Sequence, residues 1–256
     1  MIQWFRHLDR ILRGEGTDAA SLRTGRYDVP IAGTALVVIL LAMFYGACAG
    51  SFAPLRPGGG PVEQVLASAV KLPLLLVLTL VVTLPSLYVF SALAGSGLKF
   101  STIVRLLLAV MAVLSAVLAS LGPIVVFFAL STESYTFMKL LNVLMGLVAG
   151  LFALAYLQRL LNNLITAQAF DAHNSMQPME PPGSDVPSAV ARRPRPASIV
   201  FQIWMVVFAV VGAQMSWVLR PFIGDPDLPF QWFRQRDSNF FIDVMRAIGR
   251  LVSSIG

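Results

Sequence analysis

The 256-residue chain is 57% hydrophobic and only 12% charged, with a mean hydropathy of +0.75 and a net charge of +6. A water-soluble domain is nearer half apolar and a quarter charged, so this composition excludes an ordinary soluble fold. Nor does the positive charge point to nucleic acid. The arginines flank apolar segments, where anionic lipid headgroups are the natural counter-charge.

Residues 1–29 read as a basic cytoplasmic segment. At 100° per residue Ile2, Phe5, Leu8 and Leu12 gather on one helical face, flanked by Trp4 and Ile11, with Arg6, Arg10 and Arg13 opposite. That is the pattern of a helix lying in the membrane interface. The first apolar run starts near Pro30, too far in and too long for a cleavable signal, so it is expected to stay as an anchor.

A spanning helix needs about 20 mostly apolar residues. Residues 30–170 hold four such runs, Ile31–Ala53, Leu72–Leu93, Leu106–Leu130 and Leu140–Leu157, the last with a possible amphipathic extension through Leu164. No acidic residue falls between Glu63 and Glu133, or between Glu133 and Asp171. A bilayer enforces such gaps, because ionised groups are costly near its centre. Residues 171–197 carry a cluster of prolines and read as a flexible tether. A fifth span, Ile199–Leu219, lies within a unit at 198–222. Residues 223–256 form a surface turn and a second amphipathic helix. On that helix Phe240, Phe241, Val244, Met245, Ile248, Leu251, Val252 and Ile255 share one arc, and Asp243, Arg246 and Arg250 the other. The fold class is therefore an all-α, polytopic transmembrane bundle of about five spans, with interfacial helices at both ends.

Of the Lys and Arg residues, eleven fall on the side of the N-terminus and eight on the other, counting Lys71 in the first outer loop. This favours a cytoplasmic N-terminus and a C-terminus on the opposite side of the membrane.

Two Gly-x-x-x-Gly pairs, Gly46/Gly50 and Gly146/Gly150, suit close helix packing, either within the chain or in an oligomer. Asn142 lies one turn before Gly146, where its amide can bond a neighbouring helix. Pro85 and Pro123 interrupt spans and each frees a carbonyl. Cys48 is the sole cysteine, so no internal disulfide is possible, and its apolar setting suits packing. The exit of the fifth span is the most distinctive text. Gln214, Trp217, Arg220, Pro221, Phe222, Asp225, Asp227 and Trp232 read as an interface anchor, or as a compact element that docks a partner.

Signatures of chemistry are missing. Gly58-Gly59-Gly60 lacks the Gly-Lys-Ser/Thr of a phosphate loop. His7 and His173 have no companion at ligand spacing. No catalytic, cofactor or metal residues are expected, nor any ionisable group at mid-span. The expected role is a non-catalytic membrane subunit or scaffold, its partners being the bilayer, anionic headgroups and a protein or a second copy. The alternative is a channel or transporter lined by Gln202, Gln214, Asn142, Ser115 and kink carbonyls.

Lys71-Leu-Pro73-Leu, Thr83-Leu-Pro85-Ser-Leu-Tyr88-Val-Phe90 and Leu219-Arg-Pro-Phe-Ile-Gly224 carry a resemblance. Over about Lys71–Phe241 the chain resembles an uncharacterised family of bacterial polytopic membrane proteins. That resemblance implies a bacterial inner membrane and brings no known activity. Gly97-Leu-Lys-Phe100, ahead of the span containing Pro123, is similar to Yip1-like five-span proteins.

Overall fold

The computed structural model describes residues 2–13, 30–55, 60–93, 100–175, 196–219, 223, 231–232 and 240–253. Its elements are α1 (Ile2–Arg13), α2 (Ile31–Gly50), α3 (Phe52–Leu55), α4 (Glu63–Leu93), α5 (Phe100–Ser131), α6 (Tyr135–Ser175), α7 (Pro196–Val218) and α8 (Phe240–Ser253). Among the described residues there is no strand. In lipid, a helix meets its own backbone hydrogen-bonding needs, which an open sheet cannot.

Among the described residues four helices, α2 and α4 to α6, are long and apolar enough to cross a membrane, and α7 has a described apolar stretch at Val206–Val218. Their outward faces stay greasy. Phe44 on α2, Val81 on α4, Phe127 on α5, Phe152 on α6 and Val206 on α7 are all exposed. In water such a surface would aggregate; hydrocarbon is the solvent that suits it. The chain is a multi-pass, all-α membrane protein.

Helix α2 is the hub, packed extensively on both α4 and α5. From there α7 packs on α4 and α6 on α5, and α6 and α7 meet along a shorter stretch. The bundle is thus a ring in the order α2, α4, α7, α6, α5. Its core includes Val37, Val38, Ala42, Ile103, Leu107, Met111, Met138 and Trp204, all buried. At one end of the bundle Phe128 of α5 tilts against Phe137 of α6, ring centroids 5.5 Å apart, and at another hairpin Tyr88 meets Phe100 edge-on at 5.9 Å.

Several boundaries depart from expectation. Helix α4 begins at Glu63 rather than Leu72, because Gln64, Ser68 and Lys71 are buried against the bundle instead of forming a loop. Both Pro73 and Pro85 lie inside it. Near Pro85, Thr83 Oγ1 donates to the Thr79 carbonyl at 2.7 Å and Ser86 Oγ to the Thr83 carbonyl at 2.7 Å, so hydroxyls supplement a weakened ladder. Helix α6 runs unbroken to Ser175, into the stretch expected to be tether. At 1.5 Å per residue its 41 residues extend about 60 Å, twice the hydrocarbon thickness. The proline-rich residues 176–195 lie outside the described residues.

The terminal helices also differ in detail. On α1, Leu8 and Ile11 are buried against the bundle while Leu12 is about half exposed, so the helix is rotated relative to the projected face. Packing on α2 and α5, and not lipid alone, takes its apolar side. On α8 the side between the projected apolar and polar arcs turns inward. Ala247 is buried, while Phe241, Ile242, Met245 and Ile248 point outward. Asp243, expected on the outer polar arc, turns inward to an ion pair with Lys139 of α6.

Candidate functional site

Gly46 and Gly50 sit where α2 meets α4. A Cβ on Gly46 would come within 2.9 Å of Ala69 Cα and collide with the Ser68 carbonyl oxygen. On Gly50 it would lie 2.8 Å from Ser68 Oγ and 2.9 Å from the Gln64 carbonyl. Backbone touches backbone here, the contact that small residues make possible in lipid. The two glycines also fix the register, with Gly50 level with Gln64 and Gly46 with Ser68 and Ala69, so α2 and α4 are antiparallel.

Gly146 and Gly150 have the same spacing and the opposite environment. A Cβ at either meets nothing within 4 Å. Asn142, one turn earlier, does reach another helix: Tyr45 Oη donates to its Oδ1 at 3.1 Å, and its Nδ2 donates to the Met138 carbonyl at 3.0 Å. This bond ties α6 to the hub across the core.

A third feature was not read from the sequence. One side of α4 carries a seam of buried polar residues: Gln64, Ser68, Lys71, Thr79 and Thr83. Gln64 Nε2 donates to Ser68 Oγ at 3.1 Å, one turn along. Lys71 is 1% exposed and lies in the first third of the helix, which corrects its assignment to a loop. Lower on the same helix, Trp204 of α7 donates its indole N–H to Ser86 Oγ at 3.1 Å. A Cβ on Gly212 of α7 would lie 3.8 Å from Thr79 Cγ2. These two contacts run in opposite directions along the helices, so α7 is antiparallel to α4. Extending the register brings Lys71 level with the C-terminal end of α7, where the negative pole of the helix dipole lies. The available signal was the i, i+4, i+7 spacing of Gln64, Ser68 and Lys71, which marks one helical face.

The chain matches no family model, no curated protein and no solved structure.

At the exit of α7, Gln214 is half-buried, Trp217 is buried in the protein and Trp232 is about half exposed. Trp217 therefore packs inward. Ile223 is buried as well. Arg220, Pro221, Phe222, Asp225 and Asp227 lie outside the described residues. Of the residues considered for a conducting path, Ser115 is fully buried on α5 and Asn142 is committed to Tyr45. The Gln202 side chain lies outside the described residues. Among the described residues no group of three metal-ligating side chains converges.

Proposed function

We propose that the chain is a non-catalytic subunit or scaffold of a bacterial inner-membrane complex, with its N-terminus cytoplasmic and its C-terminus periplasmic. The observation that carries this reading is the way α8 is fastened. An ion pair to Lys139, with further contacts to α7, holds it across the one joint of the ring where α6 and α7 meet least. A helix fixed there is held at the α6–α7 joint, with its outer residues Phe241, Ile242 and Met245 left for a partner.

Two experiments test this. Full-length protein purified from its native membranes is expected to carry a stoichiometric partner. A chain lacking residues 234–256 is expected to insert normally and lose that partner, and Arg220→Ala to weaken its retention. Selective ion or solute flux from the purified truncated chain, with no partner lost, would overturn the scaffold reading. Orientation, and the crossing of α7 as a fifth span, rest on cysteine labelling in a Cys48→Ser background. Positions 60 and 227 are expected to react with an impermeant thiol reagent in intact cells, and position 185 only after permeabilisation. Equal labelling at 185 and 227 would mean that α7 does not cross.

The second reading, a channel or transporter, is favoured by one specific observation. The buried seam of Gln64, Ser68, Lys71, Thr79 and Thr83 is a line of polar groups along a spanning helix. Such residues within the membrane often mark a solute path.

A further inference from the structure

The charges of α8 are sorted by the way it docks. Its sequence between Phe240 and Ser253 contains Asp243, Arg246 and Arg250. Asp243 is engaged by Lys139, and its side chain is only 14% exposed. Both arginines face outward. Arg250 Nε donates to the Arg246 carbonyl at 3.4 Å, so its guanidinium folds back along the helix toward Arg246. The outward face of the helix therefore carries two cations and no exposed anion.

Beside these cations lies an open groove of about 410 Å³ lined by Phe241, Ile242, Met245 and the side of Arg246. Its walls are almost wholly apolar, and Met245 is 68% exposed. The depth of the groove is set by Lys139, which follows closely on the Thr132–Ser134 connection between two spanning helices. That connection marks the edge of the bilayer, so α8 lies at the level of the headgroups. Paired guanidiniums above a greasy groove at that depth match one kind of molecule: a phosphate-bearing head with an acyl chain beneath it.

We propose that the outer face of α8 is a binding site for an anionic phospholipid, its head held by Arg246 and Arg250 and one acyl chain lying along Phe241, Ile242 and Met245. This inference needs only the membrane class of the chain and stands or falls apart from the scaffold role. The Lys139–Asp243 pair acts here as a positioning device, because it withdraws the one carboxylate that would repel the lipid.

The test is native mass spectrometry of the full-length protein, delipidated in detergent and titrated with phosphatidylglycerol, phosphatidylcholine or inorganic phosphate. Phosphatidylglycerol is expected to be retained roughly five- to thirtyfold better than phosphatidylcholine, about the effect of one to two surface arginines. Arg246→Gln with Arg250→Gln should bring the two lipids to parity without changing the thermal unfolding temperature, since both side chains are exposed. Lys139→Met should lower the preference while leaving both arginines in place, because Asp243 is released. Equal retention of the two lipids by the unaltered protein would overturn the proposal, as would a preference that survives the double substitution. Inorganic phosphate binding as tightly as phosphatidylglycerol would also overturn it, by removing the acyl chain from the recognition.

Discussion

Gly46→Leu is expected to prevent the bundle from assembling, while Gly146→Leu and Gly150→Leu leave it intact. Leucine at position 46 must displace the backbone of α4 at Ser68 and Ala69, and no flexible side-chain tip stands there to yield. Overpacking of side chains in a close-packed interior costs about 1–3 kcal/mol, and a clash with main chain belongs at or beyond the top of that range. Because α2 is the hub, moving it off α4 also disturbs its packing on α5. At Gly146 and Gly150 the added side chain enters open space and costs no packing. Thermal unfolding in detergent, with yield of monodisperse protein as a second readout, separates the two cases. A folded, normally stable Gly46→Leu protein would show that α2 and α4 do not pack in this register. Instability of the Gly146 variant would place an unrecognised neighbour on α6.

Lys71→Glu is expected to destabilise the protein severely, and Lys71→Met far less. Position 71 is almost fully buried, and the α4–α7 register sets it against the carboxyl end of α7. A cation there is complementary to the helix dipole, an effect worth up to ~2 kcal/mol when partly buried. Methionine keeps the length and apolar body of the stem and loses both that attraction and the polar interaction Lys71 makes, but it introduces no buried charge. Glutamate replaces attraction with repulsion and buries an uncompensated charge, which costs about 3–5 kcal/mol. Denaturant titrations of the three proteins in one detergent measure the order. Equal stability of the Glu and Met forms would remove electrostatics from this site. Severe loss with Met alone would mean that the ammonium is held by a specific bond stronger than the dipole.

The spans were legible in the sequence because a bilayer imposes a one-dimensional rule: about 20 residues without charge. Leu106–Leu130 and Leu140–Leu157 lie within α5 and α6 for that reason. The start of α4 was missed by the same rule, since Gln64, Ser68 and Lys71 look like loop to a hydropathy scan and like one buried face to a helical projection. Spacing alone could not distinguish Gly46/Gly50 from Gly146/Gly150. Both pairs permit close approach, and only the arrangement of the other helices decides which is used. The orientation of α8 was hidden for a related reason. Its amphipathic arc predicts which side prefers lipid, but a single ion pair to a residue about a hundred positions away turned its acid inward. The α7 exit is only partly within the described residues, where Trp217 and Ile223 are buried and Trp232 is exposed.

The order of helices around the ring has a consequence for how the protein is made. Helix α7 packs mainly on α4 and only briefly on its predecessor α6, so an apolar segment made later joins one made well before it. Until it arrives, the edge of α4 bearing Thr79, Thr83 and Ser86 lacks the helix that covers it, and Ser86 lacks its indole donor. A nascent chain ending before Pro196 therefore presents a polar flank inside the bilayer. Such a flank is what membrane quality-control proteases and insertion chaperones are suited to recognise, so arrival of α7 is the step that ends the chain's exposure to them.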